Sequence, residues 1–190
     1  TIKDGYCFAV YGGNNAGGTN PTSNVTVDGG EANEVYGGNN LGGTNSTSNV
    51  IINGGKVTNV YGGGNKAVTT KPNVTIQNDA NILESVYGGG NQAEVTTPTV
   101  TINDGNNENV YGGGNQAEVT DSTVTVKGGK NQNIYGGGNQ AGAQSTKIVV
   151  SSGDSNAIYG GSNASGVVVS SNILMQGGNT LNIYGGNNEG

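Results

Sequence analysis

Aliphatic residues in this chain fall in short runs, and the runs return at a nearly constant interval. One series reads Val25-Thr26-Val27, Val50-Ile51-Ile52, Val74-Thr75-Ile76, Val100-Thr101-Ile102, Val124-Thr125-Val126, Ile148-Val149-Val150 and Ile173-Leu174-Met175. A second places Val or Ile immediately before a tyrosine: Val10, Val35, Val60, Val86, Val110, Ile134, Ile158 and Ile183. Period-two alternation in stretches rich in Val, Ile and Thr predicts strands. No stretch carries the periodicity of an amphipathic helix. Between the runs stand Gly-Gly, Asn-Gly and Asp-Gly pairs, which supply the positive φ angles that tight corners need.

The tyrosines measure the repeat. Tyr11, Tyr36, Tyr61, Tyr87, Tyr111, Tyr135, Tyr159 and Tyr184 are each followed by two glycines and are spaced by 24–26 residues. Four residues after each comes an asparagine: Asn15, Asn40, Asn65, Asn91, Asn115, Asn139, Asn163 and Asn188. The last residue of the Val-Thr-Val series precedes the next tyrosine by nine positions, except after Ile76, where the interval is eleven. The extra pair lies within 78–84 and is expected to bulge outward. Identical strands returning at this distance, rather than at 8–12 residues, argue against hairpins and for stacked coils.

The predicted fold is therefore all-β, a parallel β-helix (β-solenoid) of 24–26 residues per coil with three short strands in each. One strand ends at Val-Tyr, one is Val-Thr-Val, and one is the Gln-Ala-Glu-Val-Thr stretch, reduced to Gly-Gly-Thr in the first two coils. Like strands stack at about 4.8 Å, and the preference for right-handed crossovers makes the coil right-handed. The aliphatic residue before each tyrosine, Ala93 and Val95 with their equivalents, and both outer residues of Val-Thr-Val are expected inside. Thr26, Thr75, Thr101 and Thr125 are expected outside. The asparagine column is expected to form an amide ladder along one corner. By alternation from the buried Val or Ile, the tyrosines are expected to face outward or along a corner. Residues 1–190 are read as one segment of a longer array, entered and left in mid-repeat.

With its Val-Tyr-Gly-Gly-Gly-Asn units, the chain resembles the right-handed parallel β-helix repeat proteins of bacterial cell surfaces, and more broadly the secreted pectate-lyase-like folds. The resemblance implies an extracellular location and a structural, stalk-like or adhesive role. Such folds also host lyases and phage spikes, so the likeness speaks for architecture more than for activity.

Composition trims the functional classes. Glycine supplies 38 of 190 residues, and charged residues only 11%, against about a quarter in ordinary domains. Apolar residues reach 31%, enough for a narrow core. The net charge of −6, with seven scattered lysines, argues against nucleic acid as a partner. No apolar run reaches the roughly 18 residues of a membrane span. There is no histidine and no arginine, and Glu94 and Glu118 are a pair of acids at equivalent places in adjacent coils. A non-catalytic chain without cofactor or metal is the expectation. The single cysteine, Cys7, allows no internal disulfide.

The tyrosine column is the candidate recognition face. Eight rings with hydroxyl tips suit stacking against a glycan or a host or cell-surface protein. The alternative is that the stacked rings only shield the backbone. Further coils of the same chain are the other expected neighbours. Beside the stalk or adhesive reading stand a carbohydrate-binding β-helix, a self-assembling fibre and, from the threonine column, an ice-binding face.

Overall fold

The computed structural model describes residues 1–189 as a parallel β-solenoid of about seven coils. Its strands are β1 (Tyr6–Tyr11), β2 (Thr19–Val27), β3 (Glu31–Tyr36), β4 (Thr44–Ile52), β5 (Lys56–Tyr61), β6 (Val68–Ile76), β7 (Asn81–Tyr87), β8 (Thr99–Ile102), β9 (Asn106–Tyr111), β10 (Val119–Tyr135), β11 (Ala143–Tyr159), β12 (Val168–Met175) and β13 (Asn179–Tyr184). Every strand pairing is parallel and joins equivalent residues of adjacent coils, as in Tyr11 beside Tyr36 and Val74 beside Val100. Among the described residues there is no helix.

Two strand stacks run the length of the molecule. The tyrosine-ending strands form one, and the Val-Thr-Val strands the other. The third expected strand is short and runs on into the Val-Thr-Val strand. It shows as Thr19–Asn20 against Thr44–Asn45 in the first coils and as single bridges Thr69–Val95 and Val95–Val119 later. In β10 and β11 even the next corner stays in the ladder, so each is one 17-residue strand with a register shift at Lys127.

The core is one column of aliphatic residues per inward position. Val27, Ile52, Ile76, Ile102 and Val126 are fully buried, as are Val35, Val60, Val86, Val110, Ile134 and Ile158. Thr26, Thr75, Thr101 and Thr125 lie half-buried on the opposite side of their strands. A smaller cluster of Val95, Val119 and Ala143 fills the third side. The inward position nearest the start of each tyrosine strand holds Cys7, Ala32, Val57 and Ile82, while Phe8 beside it is exposed.

Two glycine positions explain much of the composition. The corner before each tyrosine strand takes a positive φ at Gly5, Gly30, Gly55, Gly105, Gly129, Gly153 and Gly178, between 74° and 101°, a region costly for residues with a Cβ. The first glycine after each tyrosine lies directly over its equivalent in the next coil. A Cβ at Gly62, Gly88 or Gly112 would strike the carbonyl oxygen of Gly88, Gly112 or Gly136.

The two extra residues after Ile76 are divided between two places. One lengthens the corner, where Ala80 sits before the strand and the positive φ passes to Asn78, at 56°. The other is a bulge in β7, where Val57 pairs with Ile82 but Asn59 with Ser85. Leu83 is left half-exposed there.

Candidate functional site

The tyrosine column is continuous, but it does not face outward. Seven successive ring pairs stack at 4.6–5.0 Å with interplanar angles of 4–12°. Tyr36, Tyr61, Tyr87, Tyr111 and Tyr135 are only 3–5% exposed, Tyr11 and Tyr159 are partly buried, and Tyr184 on the last coil is exposed. Of the two expected placements, outward or along a corner, the rings are covered beside the corner that carries the asparagine ladder and form no open outward stripe. The rings form a cluster of their own, apart from the aliphatic core that holds Ala32 and Val35. They lie on the strand face where Tyr36 meets Glu34 two residues back, and Asn163 of the corner ladder reaches the Tyr111 hydroxyl. Both faces of each internal ring are taken by its neighbours, so no ring face between Tyr36 and Tyr135 is open to a sugar.

Burial raises the hydroxyls of Tyr11, Tyr36, Tyr61, Tyr87 and Tyr111 above the ordinary tyrosine value, and pushes Tyr135 up to about 12. Nearby carboxylates add to this: Glu34 for Tyr11, Tyr36 and Tyr61, and Glu189 for Tyr135. Tyr36 donates its hydroxyl to Glu34 at 3.1 Å, while Asn59 donates to Glu34 and Glu84 at 3.4 and 3.0 Å. Burial also lifts the Glu34 carboxyl, against the pull of its Tyr36 and Asn59 hydrogen bonds and with the repulsion of Glu84.

The asparagine ladder is present as expected. Asn40, Asn65, Asn91, Asn115, Asn139, Asn163 and Asn188 each donate to the Oδ1 of the preceding member, starting from Asn15, at 2.8–3.0 Å. It runs beside the rings: Asn163 also donates to the Tyr111 hydroxyl at 3.3 Å.

Three further polar series escaped the sequence reading. Asn49 donates to Asn24, Asn73 to Asn49, and Thr99 to Asn73 at 2.6–3.0 Å. A second run links Asp28, Asn53, Gln77 and Asn103 at 2.7–3.2 Å. Ser23, Ser48, Ser122, Thr146 and Ser171 each donate across the coil to the carbonyl of the glycine after the next tyrosine, at 2.5–2.6 Å. The signal was there, since each of these residues stands two positions before a Val-Thr-Val run. Pro72 and Pro98 interrupt it in two coils.

Glu94 and Glu118 are exposed side by side above a shallow hollow of about 220 Å³ that Val68, Val95 and Val119 also line. The larger concavity lies elsewhere, across the starts of β7, β9 and β13 and the equivalent later parts of β10 and β11. It is a groove of about 510 Å³, within the usual size of ligand sites. Asn81, Asn106, Lys130 and Asp154 form one side, in register through four coils. Leu83, Glu108, Gln132, Asn156 and Leu181 form the other.

Between these sides the inward column changes character. It is Ala32, Val57 and Ile82 in the earlier coils, then Asn107, Asn131 and Ser155, all buried. Asn107 donates to Asn131 Oδ1 at 3.0 Å, and Asn131 to the Gly128 carbonyl at 3.5 Å. Asn107 Oδ1 and Ser155 Oγ have no hydrogen-bond partner within the protein. Sequence reasoning passed over this segment because its residues look like ordinary corner asparagines.

No family model matches the chain, and no curated protein or solved structure matches it.

Proposed function

We propose that this chain is a stiff, non-catalytic spacer within an extracellular bacterial surface protein, projecting or presenting whatever is joined to its ends. The observation that carries the reading is continuity. Ring stack, amide ladder and two strand stacks keep register through all the coils, and the one insertion is absorbed as a lengthened corner and a bulge. Each coil is thus held to the next by backbone, amide and aromatic contacts at once. Such a body resists bending, and its length scales with the number of coils. The ring stack alone covers roughly 34 Å in seven steps of about 4.8 Å.

Two measurements test this. Excising residues 112–135 joins Tyr111 to Gly136 in register and removes one repeat. Solution scattering is expected to show a rod for both proteins, the shorter by about 4.8 Å. A flexible profile for the parent chain would overturn the reading. Antibody labelling of intact source cells is expected to reach the chain without lysis, and labelling only after lysis would refute the surface location.

A further inference from the structure

We propose that the groove across β7, β9, β10, β11 and β13 binds a neutral glycan chain laid along the solenoid axis. A spacer needs no ligand, so this goes beyond the role argued above. The first ground is the local reversal of the core pattern. A column that buries Ala32, Val57 and Ile82 in the earlier coils is given to Asn107, Asn131 and Ser155 in the later coils that line the groove. Folding gains nothing from the exchange, since two polar atoms are left unpartnered. Departures from local consistency of this kind concentrate at functional sites.

The second ground is the chemistry of the walls. Amides of Asn81, Asn106, Gln132 and Asn156 offer donors and acceptors together, which suits hydroxyl groups that are also both. Glu108 and Asp154 against Lys130 leave the lining with a net charge of −1, and the chain carries −6, so polyanions are disfavoured. Leu83, 49% exposed, supplies an apolar patch at one end for the C–H face of a sugar ring. A peptide added as an extra strand does not fit within the groove, because β7, β9, β10 and β11 beneath it already pair on both sides. From Asn81 to Asp154 the groove crosses three coil spacings, about 14 Å at 4.8 Å each, room for a short oligosaccharide.

The experiment is titration of the 190-residue chain with soluble oligosaccharides of the gluco-, manno- and N-acetylglucosamine series, with oligogalacturonates as the acidic comparison. Saturable binding of at least one neutral series is expected. Glu108→Ala and Gln132→Ala, at exposed positions, are expected to weaken it roughly tenfold or more, ~1.4 kcal/mol, with unchanged circular dichroism. Glu118→Ala, beside the other hollow, is expected to bind as the parent does. The proposal is overturned by no neutral binding, by preference for the acidic series, or by groove variants that bind unimpaired. The spacer reading would survive any of these, since it rests on scattering and surface exposure.

Discussion

At the scale of single residues, stacking turns one side chain into a column, so each substitution is felt on two sides. Asn115 accepts from Asn139 and donates to Asn91 at 3.0 and 2.9 Å. Asn115→Ala removes both bonds and strands two amide groups, and is expected to cost about 1–3 kcal/mol in denaturant unfolding. Asn188→Ala, which loses one exposed bond, is expected to cost less. The tyrosines make a pH prediction. Folding holds the buried hydroxyls above their ordinary value, so the folded chain keeps protons that the unfolded chain releases above about pH 10. Their contribution to stability is therefore whole below about pH 10 and falls as pH rises beyond it. Phenolate absorbance from the buried set is expected to appear together with loss of the β circular dichroism. Ionisation of that set in a chain still folded would show that the hydroxyls are not covered.

At the scale of the strand, the unit of design is the column rather than the segment. β9 and β10 carry the same backbone register as β3 and β5, yet bury asparagine where those strands bury alanine and valine. Replacing both partners of a buried polar pair with apolar groups is near neutral or stabilising, whereas removing one partner is costly. The double variant Asn107→Val with Asn131→Val is expected to melt at or above the parent temperature. Asn131→Val alone is expected to lose about 1–3 kcal/mol, because the Asn107 side chain then loses its one hydrogen bond. A double variant less stable than the single would mean that the polar column holds the fold together. The bulge in β7 belongs to this scale too. It leaves Leu83 half-exposed where the groove begins, so the coil with the two-residue insertion and the groove meet at the same strand.

At the scale of the molecule, stability is a sum over neighbouring coils. A repeat stack behaves as a nearly one-dimensional chain of interfaces, so excising 112–135 should remove one interface and leave the rest intact. The same logic explains the exposure gradient. Tyr111 in mid-stack is 3% exposed and Tyr184 on the final coil 47%, although the two occupy the same place in the repeat. Burial here depends on having a coil on either side.

The intervals between tyrosines and the alternation of Val, Thr and Ile were enough to determine the coil length, the parallel stacking, the aliphatic columns and the Asn15–Asn188 ladder. These follow from local rules: strand periodicity, glycine at corners, and identical residues in identical places. What the tertiary structure alone decided is what covers each column. The tyrosines lie apart from the aliphatic core yet are covered by one another and by the neighbouring corner, and a groove lies along Asn107 and Asn131. Such cover is set by how three sides of a coil close on a narrow core and on the coils above and below. No pattern of neighbours along the chain carries that information.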